Sequence, residues 1–172
     1  MKINIMKRLF LLCALCMFSL LLQAQGCKLC GKWEGSYSLE VPDPYSDGLV
    51  AEQFMMLMKI DSHENNYLVR VKSYPVKDKD NVRYWNNCEI ISSSANQVYF
   101  KAYASTSYDW DGVTHKGKRV YSADNTWYAT ATYEGGKIRF VYHLHVVYKD
   151  KSGEPIDYHD NPKQTIMMYD SW

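Results

Sequence analysis

Three short patterns in the chain hold residue types that could do chemistry. His143 and His145 lie two apart. On a strand both rings would point to one side of the sheet, which suits two imidazoles on one metal ion. A zinc site needs at least three protein ligands, and no further His, Cys or carboxylate stands beside them in the sequence. Lys137 and Arg139 share their face and would oppose a cation. The pair reads as polar outer surface, and no metal is expected. Cys27-Lys28-Leu29-Cys30 has C-x-x-C spacing. Redox use would place it at a helix start in a βαβ unit, whereas here it precedes a strand. A zinc site would need a second ligand pair, which is missing. Asp109-Trp110-Asp111-Gly112 opens like a calcium loop, but no Glu follows at the twelfth position. It reads as a loop tip.

Enzyme chemistry finds little support. There is no G-x-S-x-G nucleophile elbow and no glycine-rich phosphate loop. The acidic residues cluster in turns, as solvated surface does. No catalytic residue and no cofactor are expected. The aromatic content is the unusual feature, with 15 Tyr and 5 Trp in 172 residues. Tyr offers a flat apolar face and a hydroxyl, which suits interfaces and part-polar ligands. Binding is therefore the expected activity: a pocket for a small hydrophobic or amphipathic molecule, or a surface aromatic patch for sugar rings or a protein partner. A structural envelope domain without ligand is the third reading.

The compartment follows from the first residues. Lys2, Lys7 and Arg8 precede an apolar run from Leu9 to Leu22, then Gln23-Ala24-Gln25. This is the pattern of a secretory signal peptide, and the run falls short of the roughly 20 apolar residues of a membrane helix. Cleavage after Ala24 leaves residues 25–172 as a single exported domain, periplasmic or secreted, with no transmembrane span. The alternative is lipoprotein processing at Ala24-Gln25-Gly26-Cys27, with a lipid anchor on Cys27. The full chain carries a formal net charge of +1, and losing the signal's cations turns the balance slightly acidic. Nucleic acid, which calls for a basic excess, is not an expected partner. Cys27, Cys30 and Cys88 remain. Export favours disulfides, and at least one bridge using Cys88 is expected.

The elements that must position these residues alternate with period two, the mark of half-buried strands. In the first, Trp33, Gly35, Tyr37, Leu39 and Val41 form the apolar face. Pro42-Asp43-Pro44 ends it. Val50 to Ile60 puts Phe54, Met56, Met58 and Ile60 on one face and is read as strand despite good helix formers. Strands follow at Tyr67–Lys72, at Val82–Ile91 with Tyr84 and Trp85, and from Val98 to Ala104. A loop over Thr106–His115, a short strand at Lys118–Ser122 and a turn at Asp124-Asn125 come next. Thr126–Tyr133 is joined to Ile138–Tyr148 by a Gly135-Gly136 hairpin, whose glycines supply the positive φ of a tight turn. Lys149–Lys163 reads as a polar loop, and Gln164–Asp170 as the closing strand. About eight to nine strands linked mostly by turns predict an all-β fold, an antiparallel up-and-down β-barrel with a β-sandwich as the alternative.

Gly31-Lys32-Trp33 at the head of the first strand resembles the G-x-W opening of calycins, the superfamily of lipocalins, fatty-acid-binding proteins and avidins. The resemblance implies an eight-stranded lipocalin-like barrel. It also implies that Trp33 plugs the closed end, with Arg139 from a late strand as its partner. In an up-and-down barrel alternate connections share an end. Counting from Trp33 sends Pro42–Leu49, Pro75–Asn81, Thr106–His115 and the Gly135-Gly136 hairpin to the open end. Tyr45, Tyr74, Tyr108 and Trp110 are then expected to rim the entrance, with Phe54, Met56, Phe100 and Tyr142 lining the space below.

Overall fold

The computed structural model describes residues 27–42, 48–64, 66–104 and 114–171. No helix occurs among them. The strands are β1 (Gly31–Pro42), β2 (Leu49–His63), β3 (Asn66–Pro75), β4 (Arg83–Ser94), β5 (Gln97–Ala104), β6 (Thr114–His115), β7 (Lys118–Arg119), β8 (Ser122–Tyr133), β9 (Lys137–Lys149), β10 (Pro155–Asp160) and β11 (Gln164–Asp170). Every pairing is antiparallel, and β1-β2-β3-β4-β5-β8-β9-β11 close on themselves through the β1–β11 seam. The closed eight-stranded barrel excludes an open sandwich. Closure also removes the edges that so many β-forming residues would otherwise expose.

Alternation holds in the first strand: Trp33 and Gly35 are buried and Tyr37 and Leu39 half-buried, while Lys32, Glu34 and Ser38 are exposed. Val50–Ile60 is indeed strand, with Phe54, Met56, Met58 and Ile60 buried. Its helix formers yield because the alternating apolar face pairs along its length with β1 and β3. The Gly135-Gly136 turn has positive φ at both residues, 60° and 91°.

Three expectations fail in the second half. Asp124-Asn125 is no turn, because β8 runs straight through it, pairing Asp124 with Val147 and Asn125 with Val146. The strand expected at 118–122 does not cross the barrel. Residues 114–119 instead form a two-stranded hairpin, β6–β7, outside the main sheet. The polar stretch 149–163 contains β10, which extends β9 beyond the barrel. Losing one crossing strand reverses the parity of all that follows. The Gly135-Gly136 hairpin therefore lies at the closed end, with Tyr133 bonded to Asn96 in the β4–β5 turn.

That closed end is plugged from the N-terminal side. Cys27 and Cys30 are disulfide-bonded, and Cys88 is free. The expected bridge through Cys88 is thus not formed. One residue earlier, a bulge at Asn87 (φ 52°) shifts the β4–β5 register, and Cys88 packs against the core with its thiol donating to the Trp85 carbonyl at 3.7 Å. The bridged turn seats Leu29 in the core at 0% exposure. The carbonyl of Leu29 accepts a 2.8 Å hydrogen bond from the Trp33 indole. The C-x-x-C pair thus serves as a staple on the barrel floor. Trp33 is the plug that was expected, but Arg139 is not its partner. Arg139 is exposed and paired with Glu134 at 2.6 Å, because odd residues of β9 face outward. Tyr133 meets the Trp33 ring edge-on at 6.3 Å instead.

Candidate functional site

The barrel interior changes character along its axis. From the floor to the middle it is filled by side chains in mutual contact. Trp85 stacks on Trp127 at 5.0 Å and also meets Phe100, Phe140 and Tyr142 at 6.4, 5.8 and 5.6 Å. These residues come from the four adjacent strands β4, β5, β8 and β9. Phe100 and Met56, expected to line a space, are fully buried in this packing. Tyr84, on the strand expected at Val82–Ile91, is 57% exposed on the outer wall.

Above this layer Tyr37 and Trp127 are only partly covered, Phe54 and Tyr142 stay buried, and polar groups join them. Tyr37, half-buried on β1, stacks on Phe54 at 5.4 Å and meets Tyr142 edge-on at 6.3 Å. Half-buried Trp127 meets Tyr142 from the other side at 5.7 Å. The Tyr142 hydroxyl donates to Gln164 Oε1 at 3.0 Å. Burial pushes its phenol well above the ordinary value, and the neighbouring Tyr37 adds to the shift. Burial raises Tyr37 as well, opposed by a hydrogen bond with buried Ser73 and by the charge of Arg83. The Arg83 guanidinium lies 5.5 Å over the Phe54 ring, within cation–π range. Both phenols therefore stay protonated at neutral pH and can donate hydrogen bonds. The arrangement presents aromatic faces beside hydrogen-bonding groups. Neither phenol is poised for proton transfer, since their shifts carry them away from neutrality.

Of the eight residues expected to bind, Phe54 and Tyr142 belong to this group. Tyr74 does not, for it pairs with Met55 on the outward parity of β3 while Ser73 and Pro75 face in. Tyr45, Tyr108 and Trp110 lie outside the described residues. The strand ends from which their segments leave, at Pro42 and Ala104, are both at the open end. Tyr37, Ser73, Arg83, Trp127 and Gln164 were missed. The inward parity of Tyr37 is legible in the alternation of the first strand. Arg83 and Gln164 carry no pattern that marks them.

The β6–β7 hairpin sits beside this end. His115 stacks on Tyr148 at 4.4 Å, and both His115 and Lys116 reach Asp157, at 2.7 and 2.6 Å. Tyr148 has the inward parity of β9 and Asp157 is its β10 partner, so the hairpin docks on the interior side of the sheet extension. Lys116 foremost, with His115 adding, holds the Asp157 carboxyl down at about 2.

On the outer wall, Tyr99, Tyr128 and His143 form a row across β5, β8 and β9 with ring separations of 6.4 and 5.5 Å and interplanar angles of 29° and 18°. Their faces are taken up by one another, which favours cross-strand pairing more than a platform for sugar rings. His145 bonds Asp160 at 2.7 Å. Among the described residues no three His, Cys, Asp or Glu side chains are placed to hold a metal. No family model, curated protein or solved structure matches the chain.

Proposed function

We propose that this chain is an exported, calycin-like binding protein that takes a small amphipathic molecule at the mouth of its barrel, and that it is not an enzyme. The observation that carries the reading is the half-exposed pair Tyr37 and Trp127 flanking Tyr142, above a floor of fully buried rings. A ring seated there would stack on aromatic faces, as ligand sites commonly use. Its polar group would meet phenol hydroxyls and Arg83. The filled floor favours a shallow, flat ligand over a long chain threaded down the axis.

Export rests on Lys2, Lys7, Arg8 and the Leu9–Leu22 run. The disulfide supports it, since such bridges persist in oxidising compartments. The disulfide also occupies the Cys27 sulfur that lipidation would need, which favours cleavage after Ala24. A neutral planar alcohol, 2-naphthol, is a suitable probe. Its binding should be seen by isothermal calorimetry and should weaken about tenfold or more in Trp127→Ala, as loss of an aromatic contact and its buried area implies. Equal affinity for wild type and Trp127→Ala would reject the mouth as the site.

A further inference from the structure

A groove of about 470 Å³ lies on the outer wall of the barrel over β1–β4. Its volume is within the range of small-molecule sites, about 300–1,000 Å³. The register explains its charge. Lys32 stands opposite Lys59, and Lys59 opposite Arg70, so three cations lie in one row across three adjacent strands. Like charges directly opposite destabilise a sheet. Asp61 relieves only part of this row, at 3.1 Å from Lys59 and 3.6 Å from Arg70. In the next row Lys72 stands between Leu57 and Tyr84. Neither Lys32 nor Lys72 has an ion-pair partner among the described residues. The chain as a whole is close to neutral, so this concentration of cations is local. Leu57 and exposed Tyr84 flank Lys72 and supply apolar surface on either side of it, and Glu34 stands opposite Leu57 at the edge of the row.

From this geometry we infer a second binding site, independent of the mouth, for a small amphipathic anion: a carboxylate head between Lys32, Lys59 and Lys72, and an apolar body along Leu57 and Tyr84. The charge of the row is the complement of that head. The paired strands fix the site's backbone, so the lysines need only adjust their rotamers.

Laurate below its micelle concentration is the probe, measured by isothermal calorimetry on the exported domain. Binding is expected to weaken about tenfold or more in Lys32→Gln/Lys72→Gln, the loss of charge-assisted contacts, and to weaken with added salt. Among the described residues the two lysines carry no ion pair, so circular dichroism should show the fold unchanged. Dodecyl maltoside, with the same chain and no charge, should bind far more weakly. Trp127→Ala should leave laurate binding intact, which separates this site from the mouth. The inference is overturned if laurate does not bind, if the double variant binds it as well as wild type, or if the neutral detergent binds equally well. It is also overturned if only Trp127→Ala abolishes binding, or if the protein takes anionic vesicles but no monomeric laurate.

Discussion

Replacing Gly35 by Ala should destabilise the barrel, against the usual rule for strands. Gly in a strand interior costs conformational entropy, and Ala at an unstrained position would ordinarily recover about 0.4–1 kcal/mol. Gly35, however, faces inward on β1 where β11 crosses close by. A Cβ there would stand 2.6 Å from Ile166 Cγ2, 2.8 Å from the Met167 carbonyl oxygen and 3.2 Å from Met168 Cγ. The Met167 oxygen is backbone and cannot rotate away. The β1–β11 seam is held by only two registered pairs, Trp33 with Asp170 and Glu34 with Tyr169. Relief must come from pushing β11 outward, which strains the contact that closes the barrel. Overpacking of this kind costs about 1–3 kcal/mol, and here it outweighs the entropy gain. Urea melting followed by far-UV circular dichroism measures the difference, with Ser36→Ala, exposed on the same strand, as the reference. A Gly35→Ala protein as stable as wild type, or more so, would refute the reasoning about the seam.

Trp33→Ala should cost about 3–5 kcal/mol as a large core truncation, and Trp33→Phe about 1–3 kcal/mol for the orphaned Leu29 carbonyl. A loss below about 1 kcal/mol for the alanine variant would remove Trp33 from the barrel floor. The Asp157 carboxyl is depressed to about 2 from 3.8, so the docking of β6–β7 is complete above about pH 4 and is lost as pH falls through 2. Hydrogen exchange should show residues 114–119 released there before the barrel melts, and released at pH 7 in Asp157→Asn; unchanged protection in both would contradict the assignment. Non-reducing peptide mapping should find Cys27 linked to Cys30. Burial raises the Cys88 thiol to about 11, so it should react with iodoacetamide only after unfolding, and rapid labelling in the native state would oppose its inward placement.

The fold was legible wherever a strand keeps one face buried, because alternation then reports the pleat directly. β1, β2 and β9 were read with the right faces for that reason, and Trp33 with the right role. The errors gathered where alternation and turn chemistry conflict. Asp124 and Asn125 are turn formers by type, yet Asn125 is 8% exposed inside β8 and Asp124 is paired with Lys149 at 2.6 Å. Pairing with the long β9 overrides their local preference. Strand parity is cumulative, so this one misreading moved the Gly135-Gly136 hairpin to the wrong end. The bulge at Asn87 was beyond the sequence, because no neighbour announces its left-handed conformation. The mouth was half legible. Phe54 and Tyr142 follow from parity, but Ser73 lies past the end of the strand expected at 67–72, and Arg83 joins only because the register sets it opposite Ser73. The basic groove is a cross-strand feature, invisible until register sets Lys32, Lys59 and Arg70 side by side.

The indole N–H signals of ¹⁵N-labelled protein, followed by NMR through a titration with 2-naphthol, test the proposal of a shallow site at the mouth most directly. Trp127 should shift progressively and saturably, Trp85 beneath it less, and Trp33 on the plugged floor not at all. Saturable binding that moves Trp33 while Trp127 stays still, or no indole shift at saturating probe, would contradict it.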